Sequence, residues 1–152
     1  MIAPPPNDTA PVGGEAPAPD RGRLRFTGYR FVRTPTGQCT AEVELTWTDG
    51  RTMTGRASGQ SSPLGDYRIA ADAALHAIEG FVAGIVRFEI IGVKAIKAFD
   101  ANVVIVSIHA HRDGPVATLL GCYLAEGDAI KAAAYAVLNA TNRMIGNAIS
   151  TR

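Results

Sequence analysis

Two short loops hold the residues whose types and spacing suit ligand chemistry. Gly59, Ser61, Ser62, Gly65 and Tyr67 precede one Ala-rich segment, and Gly121, Tyr123, Leu124, Gly127 and Asp128 precede another. A helix start exposes unpaired N–H groups and a partial positive charge, a setting that suits a carboxylate. A bound amino acid would set its carboxylate on those N–H groups, its ammonium on an acid or carbonyl, and its side chain in the apolar gap. The expected pocket lies between the two loops or at a dimer contact. The competing reading gives both loops turn and capping chemistry alone.

The triplet His109-Ala110-His111 has the other suggestive spacing. Period 2 places both imidazoles on one strand face, and a catalytic metal needs a third protein ligand. Glu42 or Glu44 supplies one if their strand neighbours this one. The expectation is a solvated strand face without metal. His76 falls on the polar side of a helix. Ser61 and Ser62 have no evident base, and no nucleophile elbow, phosphate loop or dinucleotide fingerprint occurs. These readings give no catalytic residue, no cofactor and no enzyme.

Composition sets the frame for these residues. Six of the nine prolines fall within residues 1–22. With Ala, Gly and Asp between them, that stretch cannot bury enough surface to offset its ordering entropy. It reads as a disordered Pro/Ala-rich tail, inert or docking a protein partner, and not as a secretory signal. Net charge is +1 with both signs dispersed, which excludes the basic stripe of a nucleic-acid surface. No apolar run approaches a membrane span. Cys39 and Cys122 lie outside any Cys-x-x-Cys spacing, so buried or half-buried free thiols and a cytoplasmic setting are expected.

The elements that position the loops occur twice. Gly28 and Gly92 lie 64 residues apart, as do the turn dipeptides Asp49-Gly50 and Asp113-Gly114. Ala41, Val43, Leu45 and Trp47 alternate with polar residues, as a strand with one wet face does. Val104, Val106, Ile108 and Ala110 repeat the pattern. Helices are expected over about Asp66–Phe81, ended by Gly80 and Gly84, and from an Asp128 N-cap to about Ile145. The order is βββα-βββα. The fold class is α+β: a duplicated unit with pseudo-twofold symmetry, an antiparallel sheet and both helices on one face. The domain is expected over residues 23–147, with a tail at 148–152.

The run Gly121 to Arg143 resembles the C-terminal regulatory domain of 2-isopropylmalate synthase, the leucine-feedback domain, which has two βββα units. Asp128, Ile130, Ala133, Ala136, Asn142 and Arg143 fit its Ala-rich second helix, and Gly59, Pro63, Asp72 and Ala73 fit its first loop in longer spacing. The resemblance spans about Arg23 to Gly146. It implies an allosteric, amino-acid-binding module linked to leucine biosynthesis, a homodimer or larger assembly, without the catalytic barrel of about 250 residues. A pure association module is the alternative.

Overall fold

The computed structural model describes residues 23–150; the expected tail at 1–22 and the last two residues lie outside that range. Three strands, β1 (Leu24–Arg33), β2 (Gln38–Trp47) and β3 (Thr52–Gln60), lead into helix α1 (Pro63–Val82). Strands β4 (Arg87–Ala98), β5 (Ala101–His111) and β6 (Ala117–Leu124) then lead into helix α2 (Ala129–Ser150). The fold is α+β in a βββα-βββα arrangement. The antiparallel strands divide into two three-stranded sheets, β1-β2-β3 and β4-β5-β6.

The duplication extends to irregularities that carry no sequence motif. Each first strand has a register shift, between Phe26 and Gly28 in β1 and between Ile90 and Gly92 in β4. Each third strand has a glycine opposite a buried valine, Gly55 facing Val43 and Gly121 facing Val106. The helices explain those glycines. A Cβ on Gly55 would stand 2.1 Å from the Ala73 carbonyl oxygen, and one on Gly121 would stand 2.2 Å from that of Ala136. Each helix therefore rests its backbone directly on its third strand. Both helices present small residues to the sheets and to one another, Ala70, Ala73, Ala74 and Ala77 on α1 and Ala132, Ala133 and Ala136 on α2, all buried.

The alternation in β2 and β5 turns Val43, Leu45, Val104, Val106 and Ile108 into one core with Leu75, Ile78, Phe81 and Val137. Each such side chain contributes about 1.5–3 kcal/mol of burial. Each helix also reaches the first strand of the other half. The Arg68 guanidinium donates to the Ile90 carbonyl at 3.0 Å, and the Lys131 ammonium sits 5.7 Å from the Phe26 ring centre. These paired cross-contacts, one on each bulged strand, lock the two halves together.

Several boundaries differ from the sequence reading. Helix α1 starts at Pro63, three residues early, because Ser62 caps the Gly65 N–H at 2.9 Å and Pro63 takes the first helical turn. Gly80 lies inside α1, where Met53 packs against it; Gly84 has φ +83 just beyond the helix end. Helix α2 continues to Ser150, past the expected boundary at 147. The β4–β5 turn is Phe99-Asp100, both at positive φ, a hairpin geometry that matches strand twist. Among the described residues, no helix is long and apolar enough to cross a membrane.

Candidate functional site

The first loop is closed by its own residues. Gly59 belongs to β3, with the Ile69 side chain packed over it. Ser61 donates to Asp66 Oδ1 at 2.8 Å, the Ser62 N–H donates to the same oxygen at 3.2 Å, and the Arg33 guanidinium donates to Oδ2 at 2.6 Å. The Cys39 thiol reaches Oδ1 as well, at 3.6 Å. Burial opposes the charge on Asp66, yet Arg33, Ser61 and Ser62 outweigh it and hold the carboxyl below the ordinary carboxylate range. Asp66 is a residue the sequence reading did not single out; it occupies the place expected for a ligand carboxylate. Tyr67 is half-buried against the core.

The second loop is open. Tyr123, Leu124, Glu126, Asp128, Lys131, Ala132 and Tyr135 line a cavity of about 260 Å³. Leu124 pairs with Val103 at the end of β6, and the Ala125 N–H bonds the Asn102 carbonyl at 2.8 Å, which fixes the loop to β5. Gly127 turns the chain at φ +74. Asp128 Oδ1 accepts the N–H groups of Ile130 and Lys131, each at 3.1 Å. The expected N-cap is therefore present, and it consumes the N–H groups assigned to a ligand carboxylate. Gly121 is buried beneath α2 and is not among the residues that line the cavity.

A different cation faces that cavity. Lys131 forms no ion pair among the described residues. Its ammonium sits 5.7–5.8 Å from the ring centres of Phe26, Tyr29 and Tyr135, within cation–π range. Tyr135 stacks between Phe26 at 4.5 Å and Tyr123 at 4.6 Å. Asn139, one turn on, donates to the Cys122 carbonyl at 2.7 Å and holds α2 against β6. Among the described residues, the Tyr29 hydroxyl is buried and lacks a hydrogen-bond partner. Burial, then the Asp128 carboxylate, hold its phenol well above the usual range, so it stays a donor. The Asp66 carboxylate, at the start of α1, raises it further.

Two residues of this site, Lys131 and Tyr135, were not among the site residues expected from the sequence. Their i, i+4 spacing directly after an N-cap was the available signal. Phe26 and Tyr29 come from the other half, and nothing local in the sequence joins them to α2. The counterpart half lacks the aromatic set: Val93 stands where Tyr29 does, and Asp72 where Tyr135 does.

The histidines of β5 take a different third partner from the one expected. Glu42 and Glu44 lie on β2, in the other sheet. Glu89 on β4 stands opposite His109 instead. Cys39 is buried, whereas Cys122 is exposed, and both are free thiols. The chain matches no family model and no curated protein sequence.

Proposed function

We propose that the chain is a non-catalytic regulatory module that binds a small amino acid or related carboxylate at the start of α2. The observation that carries this reading is the unpaired Lys131 ammonium in a cavity that also holds acids and an apolar wall. Lys131 takes the carboxylate. Asp128 or Glu126 takes the ammonium. Ala132 and the Tyr123 and Tyr135 rings take the side chain, with Leu124 at the rim. The volume, below the roughly 300–1,000 Å³ of drug-sized sites, suits a ligand of amino-acid size. The likeness to the isopropylmalate synthase regulatory domain makes leucine the first compound to try. Free thiols support a reducing, cytoplasmic setting.

Such a module acts by differential affinity: a ligand that prefers one packing of halves or subunits shifts the population, and a partner reads the shift. Isothermal titration with branched-chain amino acids and 2-oxo acids tests the reading. Heat of binding that disappears in Lys131→Met supports it; silence across the common amino and 2-oxo acids removes it.

One observation favours a second reading, ligand-independent self-association. The outer face of β1–β3 is a polar lattice in which Thr27, Thr46 and Thr52 are hydrogen-bonded in series and Arg56 pairs with Glu42. The outer face of β4–β6 carries Ile96, Leu120 and Leu124 in the open, Leu120 at 70 % exposure. An apolar patch of this kind marks an association surface, and light scattering without ligand decides whether it is used.

A further inference from the structure

We propose that Glu89, His109 and His111, brought together on the outer face of β4 and β5, form a binding site for a borderline divalent transition-metal ion such as Zn²⁺ or Ni²⁺. The site lies roughly 20 Å along β5 from Val103 and the α2 pocket, and it is independent of that pocket. Alternation in β5 buries Ile108 and Ala110 and turns His109 and His111 to the opposite face. Register brings Glu89 opposite His109. One donor atom from each of the three residues lies within 4.8 Å of the other two.

The arrangement has a polar deficit that a cation removes. Among the described residues, His111 Nε2 is buried and has no hydrogen-bond partner; Glu89 Oε2 stands 3.5 Å away. A buried nitrogen left unpaired is costly, and a metal bond satisfies it. Two imidazoles and a carboxylate match the donor preferences of zinc, nickel and copper, not those of magnesium or calcium. In a tetrahedral zinc site, bonds of about 2.1 Å set neighbouring donors roughly 3.4 Å apart. The Glu89–His111 separation of 3.5 Å already matches that spacing. Three protein ligands leave a position for water. His111 also lines a cavity of about 470 Å³ with Glu79 and Arg87.

The competing account is a simple histidine–carboxylate ion pair, which takes up no metal. The test uses the full chain with Cys122→Ser, to remove the exposed thiol, stripped with chelator and titrated with ZnCl₂ and NiCl₂ by calorimetry. One ion per chain is expected. Replacing a ligand should weaken binding beyond the ~10–100-fold that follows loss of a ligand's outer hydrogen-bond partner, in His109→Ala and in His111→Ala, with unchanged circular dichroism. Imidazole ¹⁵N resonances provide a readout that needs no ligand variant: zinc should shift those of His109 and His111 and leave His76 in place. No uptake by the unsubstituted triad, uptake indifferent to both histidine variants, or zinc shifts confined to His76 would each overturn the proposal.

Discussion

Gly121 is the position where the duplicated packing is most exposed to test. An alanine there would set its Cβ 2.2 Å from the Ala136 carbonyl oxygen, 2.6 Å from the Ala140 nitrogen and 2.7 Å from the Ala140 Cβ. Two of these are backbone atoms of α2 and cannot rotate away. Reaching even a 3.0 Å separation requires α2 to lift by about 0.8 Å from β6. That lift opens the contacts of Val137 and Ala133 with the sheet. Overpacking of this sort costs about 1–3 kcal/mol or more, and the lower unfolded-state entropy of alanine recovers only about 0.4–1 kcal/mol. For an ordered domain of roughly 130 residues, 1 kcal/mol moves Tm by roughly 4 °C. Net of that recovery, Gly121→Ala should lower Tm by roughly 2–10 °C. Gly55→Ala should do the same, because its Cβ meets Ala73 O at 2.1 Å and Ala77 N at 2.3 Å. Gly92→Ala is the control: a Cβ there meets nothing within 4 Å, so it should stay within about 0.5 kcal/mol of the parent. Scanning calorimetry on the three variants gives the answer. If Gly55→Ala and Gly121→Ala behave like Gly92→Ala, the helices do not rest on those strands and the packing argument fails.

Other outcomes follow from the same contacts. Asp66→Asn should destabilise the fold by about 1–3 kcal/mol at neutral pH, since Arg33, Ser61 and Ser62 lose a charged acceptor. The Asp66 carboxyl is depressed in the folded state. Its contribution is therefore complete above the unfolded value of about 3.9 and fades as pH falls through the folded pKa. Urea midpoints of parent and variant should converge in acid, and a constant gap down to pH 2 refutes the assignment. Tyr135→Ala should reduce amino-acid affinity in the α2 pocket, because the ring forms a wall and also holds Tyr123 by stacking; titration calorimetry that finds equal affinity argues against that pocket. Leu120→Lys should lower any apparent mass above the monomer in light scattering, and an unchanged assembly moves the contact elsewhere.

The internal repeat was legible because turn signals recur at a fixed spacing. Gly28 and Gly92 share that spacing, and each stands at the register shift of its first strand. The alternation of Val43 and Leu45 with Glu42 and Glu44 fixed which side is buried, but strand partners are not written in any single strand. That is why the third neighbour of the β5 histidines turned out to be Glu89 and not Glu42 or Glu44. Helix α1 began earlier than expected although Ser62-Pro63 is itself a start signal, an N-cap followed by proline; a proline beside glycine and serine reads first as loop. The candidate site was legible as a place and not as a residue set. Asp128 stood out as a cap, whereas Lys131 and Tyr135 did not stand out until Phe26 and Tyr29 arrived from the other half.

Chemical-shift mapping of the ¹⁵N-labelled chain during addition of the best-binding amino or 2-oxo acid tests the central claim most directly. Perturbations should centre on Tyr123, Leu124, Asp128, Lys131 and Tyr135, with Tyr29 beside them, and spare Ser61, Ser62 and Asp66. Shifts centred on the Ser61–Asp66 network, or no saturable shift with any small carboxylate, would contradict it.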